Sequence, residues 1–334
     1  MAAARTSRPK LNLRSVLRAA TRGRTPRDDA VPVAPDARCQ ALEDRVHELE
    51  RELAAQMTWV PPGHFYSPIP SPDAVRTREA VIFAQPRDGL DAIDLATEAQ
   101  LRLLDEFREF YAELPFPDEP DPAFRYYFRN EMYSYGDAVF LYCFLRHLAP
   151  RALIEVGSGF SSALILDTNE RSLGGSVDLT FIEPYPAILQ TLLRPGDAGT
   201  ATVIQQPVQS VPLETFRALG PNDVLFIDST HITKTDSDVN YLFFEVLPSL
   251  QRGVYVHIHD VFYPFEYPRE WILEGRAWNE AYFLRAFLEY NDAFRVVFFT
   301  HQIQVTHRGA LQEHFPRSLE NTAGSIWLQK VSDA

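Results

Sequence analysis

Four polar residues close two apolar runs of the chain. Asp228 ends the run DVLFID, and His231 follows it three residues later in VLFIDSTH. His259 and Asp260 end the run GVYVHIHD. Two carboxylates and an imidazole make an oxygen-and-nitrogen donor set for a divalent metal, Mg2+ or similar, at Asp228, His259 and Asp260. Such an ion can hold a substrate hydroxyl and lower its pKa. Asp228 and His231 are then the catalytic candidates, with His231 as general base because an imidazole titrates near neutrality. His257 alternates with His259 along the same run and reads as a core histidine behind the cluster.

A second set of residues has the chemistry to hold a nucleoside. RALIEVGSGFSS, residues 151–162, reads as a buried strand (Ala152 to Val156), an acid at its end (Glu155), a turn (Gly157, Ser158, Gly159) and a helix from near Phe160. Glycines let such a turn run backbone close to a ligand, since they lack Cβ and accept positive φ. The helix start offers unpaired N–H groups to polar ligand atoms. No third glycine follows three residues on, so the pattern fits the pyrophosphate-clamping G-x-G-x-x-G poorly. Glu183 ends a second run, VDLTFIEP, where a carboxylate can accept both hydroxyls of a ribose. Gln205 and Gln206 end a third, ATVIQQ.

These residues need a sheet to align them. Strands are expected over 177–184, 201–206, 223–228, 253–260, 294–301 and 324–330, after the first at 152–156. They are continuous Val/Ile/Phe runs of the kind buried on both faces. Helices are expected between most of them, but no helix pattern separates the last two strands. Repeated strand–helix units imply a doubly wound, mostly parallel seven-stranded α/β sheet with right-handed crossovers. Ligands bind such sheets at the carboxyl ends of the strands, where the candidates fall.

Ahead of this domain, expected over 124–334, three segments differ in character. Residues 1–36 read as a disordered basic tail. Their Arg-rich, acid-poor start also imitates a mitochondrial presequence. Residues 37–58 read as a short amphipathic helix with Leu42, Val46, Leu49 and Leu53 on an a/d stripe. That helix either joins copies of the chain into a homo-oligomer or lies on the main domain. Residues 59–123 read as a Pro-rich linker, extended over 60–72, and a helical cap with its helix between Asp94 and Glu113. Ala138 to His147 forms the helix leading into the first strand.

Composition narrows the partners. The chain has 334 residues, 46% hydrophobic, and a net charge of −13. Residues 1–30 carry +6, so the body is near −19. An acidic body argues against nucleic-acid binding, which needs a basic surface. No apolar run reaches transmembrane length. Two cysteines, Cys39 and Cys143, form no metal or disulfide motif, so a reducing cytoplasm is the expected location. A small-molecule acceptor is the expected partner.

Residues from about 125 to 330 resemble the class I S-adenosylmethionine (SAM) methyltransferases. The resemblance rests on Glu155-Val156-Gly157-Ser158-Gly159-Phe160-Ser161-Ser162, Ile182-Glu183-Pro184, Phe226-Ile227-Asp228-Ser229-Thr230-His231, His257-Ile258-His259-Asp260-Val261 and the run DVFYPFEYPREW. It implies SAM as cofactor, held by Glu155, Gly157, Ser158, Gly159, Glu183, Gln206 and Asp228, with Gln206 at the adenine edge. It implies O-methylation of a small-molecule or sugar hydroxyl. The metal-dependent catechol and macrolide-sugar enzymes of this group place an acidic pair where His259-Asp260 stands, and His259 departs from that pattern. The catechol enzymes place a lysine base where His231 stands. The aromatic insertion 261–278 and the segment 124–135 would form the acceptor pocket. The competing readings are a non-catalytic SAM-binding or assembly protein, and a hydroxylase-like or nicotinamide enzyme on the same fold.

Overall fold

In the computed structural model, which describes residues 35–55, 59–84 and 90–332, seven strands form one sheet in the order β3-β2-β1-β4-β5-β7-β6. They are β1 (Ala152–Val156), β2 (Asp178–Ile182), β3 (Ala201–Ile204), β4 (Val224–Ile227), β5 (Tyr255–His259), β6 (Phe294–Phe299) and β7 (Ser325–Lys330). All pairings are parallel except those of β7, which runs antiparallel to both β5 and β6. The chain moves outward from β1 through β2 to β3, then returns to the other side of β1 at β4. That reversal opens a crevice beyond the carboxyl ends of β1 and β4.

Both faces of the sheet are covered at its centre, so β1, β4, β5 and β7 carry apolar side chains on both sides, while the edge strand β3 stays partly exposed. On one face Ile154, Ile227, Val256 and Ile258 pack against Val239, Phe243 and Leu284. On the other, Leu153, Phe226 and Trp327 pack against the helices Tyr135–Leu148 and Phe160–Ser172. Phe144 stacks on Trp327 at 3.9 Å between centroids. Removing a buried ring of this kind costs roughly 3–5 kcal/mol.

The segment ahead of β1 is locked down by one cation. The Arg125 guanidinium donates to Asp167 at 2.7 Å, Glu170 at 2.7 Å and Asp197 at 2.5 and 2.9 Å. The Arg125 and Tyr126 N–H groups donate to Asp167 as well. Burial opposes the charge on Arg125, yet these carboxylates outweigh it and raise its pKa.

Several expected boundaries move. The ladders of β3, β4 and β5 end at 204, 227 and 259, so Gln206, Asp228 and Asp260 lie just past their strands. The helix before β1 begins at Tyr135 and stops where Ala149 turns left-handed ahead of Pro150. Within the Pro-rich region the sequence reading missed a helix, Pro72–Ile82, capped by the Ser71 hydroxyl, which accepts from the Ala74 N–H. The connection between β6 and β7, read as free of helix, holds Thr300–Thr306 and Arg308–His314. These two helices are too short to set up a 3.6-residue repeat that a sequence would reveal.

The chain forms two compact units, Met1–Trp59 and Val60–Ala334. The first contributes the helix Pro35–Ala55. The expected tail lies, up to residue 34, outside the described residues. Within the second unit Leu104, Phe107 and Phe116, from the expected cap, share a core with Tyr126 and Phe144. No helix of the described residues is long and apolar enough to cross a membrane.

Candidate active site

The glycine turn is fixed by steric necessity. Gly157 has φ of +83°, and a Cβ there would sit 1.7 Å from the Asp228 carbonyl oxygen. Only glycine tolerates both the dihedral and the approach. The turn is thereby pressed against the end of β4, with the Gly157 N–H donating to Ile182 O and the Asp228 N–H to Val156 O. Beyond it, the Ser158 N–H donates to the Glu183 carboxylate at 3.2 Å, and the Tyr185 N–H donates to its other oxygen at 2.7 Å. Glu183 is therefore oriented at the end of β2 by two backbone donors, beside the glycine turn.

Glu155 sits within β1 and is fully buried. One of its oxygens accepts a short hydrogen bond from the Ser162 hydroxyl, whose oxygen in turn accepts from the Gly159 N–H at 3.0 Å. Burial pushes the Glu155 carboxyl up to about 8, with the hydrogen bond from Ser162 opposing the shift. It braces the turn through Ser162. Gln206 stands apart: it is exposed beyond β3, where its N–H donates to Ile204 O.

Asp228, His231, His259 and Asp260 do come together. One ligand atom from each of Asp228, His259 and Asp260 lies within 4.8 Å of the others. His231 stands beside them, its Nε2 3.3 Å from Asp228 and 3.5 Å from Asp260. Its Nδ1 lies 2.8 Å from Glu280 Oε2. Both His231 (φ +59°) and Asp260 (φ +55°) adopt the left-handed backbone region. For side-chain-bearing residues that region costs of order 1–3 kcal/mol, and it concentrates at functional sites. The His231 conformation is stabilised by its own carbonyl, which accepts from the Asn279 and Glu280 N–H groups.

The charges in this cluster set one another. Burial opposes the imidazolium of His231, but Asp228 and Glu280 outweigh it and hold its pKa well above the usual value. Burial would raise Asp228, but His259 and His231 outweigh it and lower its pKa. Asp260 is raised, chiefly by burial. His257 is driven well below the usual range by burial, and then by His259. It stacks on Phe226 at 4.1 Å, on the core side of the sheet.

One participant, Glu280, left no trace in the sequence, while Trp278 closes the aromatic insertion 261–278 expected to line the acceptor pocket. Glu280 opens the helix Glu280–Glu289, 1% exposed, and becomes the partner of His231 only through folding. Trp278 lies 4.5 Å from the His231 ring and packs edge-on to Trp271 at 5.2 Å. The NEAYFLRAFLEY pattern marks a helix, but no spacing rule connects its first turn to His231.

The aromatic insertion contributes Phe262, Tyr263 and Tyr267 to a cavity of about 150 Å³, closed by Phe83, His301 and Thr322. The segment 124–135 is largely packing: Tyr126, Phe128 and Tyr133 are buried.

Buried polar atoms without partners occur in the core, at His257 and Trp327, and in a second group around the crevice. Among the described residues the second group includes Glu155 Oε1, Ser158 Oγ, Ser229 Oγ, His259 Nδ1, Glu280 Oε1 and Tyr133 Oη. Buried polar groups are nearly always paired in folded proteins, so this group fits a polar ligand bound there. Two carboxylates and an imidazole also fit a divalent cation. A set with one nitrogen donor suits Mn2+, Co2+ or Zn2+ at least as well as Mg2+.

Comparison with known proteins bears on this crevice. A family model described as a methyltransferase domain matches residues 154–261, the span from β1 to just past Asp260. A protein of Archaeoglobus fulgidus, described as uncharacterized, is 37% identical over 167 residues, covering 48% of this chain and 74% of its own. Among solved structures, the O-methyltransferase TomG from Streptomyces achromogenes, in complex with SAM, is 14% identical over 78% of this chain and 96% of its own, with a TM-score of 0.37. A Podospora anserina methyltransferase bound to SAH is 14% identical over 83% and 100%, with a TM-score of 0.40.

Proposed function

The chain belongs to the class I S-adenosylmethionine-dependent methyltransferase family, and from that premise we propose that it methylates a hydroxyl of a small molecule or sugar. The observation that carries the reading is the group of unpartnered buried polar atoms around the glycine turn, at the sheet's switch point. SAM supplies an electrophilic methyl group, transferred by in-line displacement. In this reading the backbone of Gly157, Ser158 and Gly159 lines the cofactor, and Glu183 accepts the ribose hydroxyls. Glu155 holds the turn through Ser162, and Gln206 reaches the adenine edge.

Asp228, His259 and Asp260 would hold a divalent cation, which lowers the pKa of a bound hydroxyl. Against the effect of burial, Asp228 and Glu280 favour the protonated form of His231, which does not suit the general base expected from the sequence. In this reading the cation would carry the deprotonation, and His231 would donate from Nε2 to the acceptor oxygen, with Glu280 fixing the ring from Nδ1. Methyl transfer depends strongly on alignment, and the left-handed backbone at His231 and Asp260 supports these residues as positioning groups. Trp271 and Trp278 give a ring of the acceptor a flat face beside His231. An acidic body disfavours nucleic acid as the acceptor, the cytoplasm is the proposed setting, and the helix Pro35–Ala55 is the proposed element of self-association.

The test is calorimetric titration with SAM and with S-adenosylhomocysteine, on wild type and Glu183→Ala. Micromolar binding weakened about tenfold by the substitution, on the order of 1.4 kcal/mol, supports the reading. An acceptor screen with and without chelator then addresses the cation. Absence of heat with either ligand overturns the SAM assignment.

A further inference from the structure

The helix Pro35–Ala55 carries an apolar stripe that nothing described in its own unit covers. Leu42 is 55% exposed and Leu49 46% exposed. Cys39 is exposed as well, and Val46 is only half-buried. In heptad register Cys39, Val46 and Leu53 take position a, and Leu42 and Leu49 take position d. Most helical stability in proteins comes from packing of an apolar face, so burial of the stripe is what would stabilise this helix.

We propose that the stripe is covered by the same helix of a second copy of this chain, in a parallel, in-register, two-stranded coiled coil. The flanking charges choose both the partner and its direction. Arg38 and Arg45 take position g, and Glu43 and Glu50 take position e. In a parallel pair each g residue faces the e residue five positions later on the other helix. Arg38 then meets Glu43 of the second copy, and Arg45 meets Glu50, with opposite charge in both cases. In an antiparallel pair e faces e, and the glutamates oppose one another. Charge at e and g sets orientation in this way, and a β-branched residue at a with leucine at d favours two strands. Arg45 already pairs with Glu48 of its own helix at 2.5 Å. An exposed pair of this type contributes little, so exchanging it for an interchain one costs little.

Parallel alignment also places Cys39 of the two copies in one a-layer, which gives a direct readout. The full chain should sediment as a reversible dimer. Mild oxidation should yield a covalent dimer on a non-reducing gel, and Cys39→Ser should abolish it. Cys143 is buried and should not substitute. Leu42→Asp with Leu49→Asp should give a monomer whose thermal unfolding and calorimetric response to SAM match wild type, which separates loss of assembly from loss of folding. Arg45→Glu should weaken the dimer on the order of tenfold, and adding Glu50→Arg should restore it. A chain that is monomeric at every concentration overturns the proposal. A dimer that survives the double aspartate substitution, or one that never cross-links through Cys39, overturns it equally.

Discussion

Two places in the molecule put one cation among three carboxylates, and they are built differently. Arg125 faces Asp167, Glu170 and Asp197 through five hydrogen bonds of 2.5–2.9 Å when the Asp167 bond to its own N–H is included. His231 faces Asp228, Asp260 and Glu280, with only the Glu280 contact shorter than 3.3 Å. The carboxylates around Arg125 spend themselves on its guanidinium and on backbone N–H groups. Around His231, Glu280 Oε1 and His259 Nδ1 have no partner among the described residues, and the backbone is left-handed at two positions. A saturated knot holds elements together. An unsaturated, strained one is poised to take a further ligand.

The contrast is tested by breaking each cluster in turn. Arg125→Met should destabilise the fold by about 3–5 kcal/mol, because it strands buried carboxylates. Its melting temperature should drop while SAM affinity, measured where the protein remains folded, stays near wild type. Asp228→Asn should do the reverse. We expect turnover to fall on the order of a thousandfold, equivalent to about 4 kcal/mol of barrier, with little change in melting temperature. An equal loss of stability in both variants would erase the distinction between the clusters.

Smaller effects sharpen the boundary between brace and binding surface. Glu155 has a folded-state pKa of about 8 against a usual value of 4.5. The native chain therefore keeps a proton that the unfolded chain has released between those values. Its contribution is intact below about pH 4.5, is lost as pH rises towards 8, and levels off above that. Glu155→Gln should flatten this decline and gain about 1 kcal/mol or more at pH 9, seen as a smaller fall in melting temperature between pH 5 and 9. If the slope is unchanged, Glu155 is not the buried acid responsible. Gln206→Ala, in an exposed position, should change SAM affinity by no more than about threefold, less than 1 kcal/mol by titration.

Much of the scaffold was legible because it follows local rules. Continuous apolar runs gave all seven strands, and the G-x-G after β1 marked the turn whose first glycine proved sterically obligatory. Asp228, His231, His259 and Asp260 were legible as a group, because polar residues ending buried strands are few and share one edge of the sheet. The helices between β6 and β7 were not, since each spans only seven residues.

What the sequence determined by itself was periodicity and punctuation: which runs are strands, where glycine is required, and which polar residues stand at strand ends. Tertiary structure alone decided the companions of those residues. Glu280 lies 49 positions from His231 and meets it because Asn279 and Glu280 donate their N–H groups to the His231 carbonyl. Glu155 ends an apolar run like the other acids, yet packing placed it inside β1 under the turn. Local patterns record what each segment needs for itself. The field around a charge is a sum over atoms brought close by the whole fold, and no spacing along the chain encodes it.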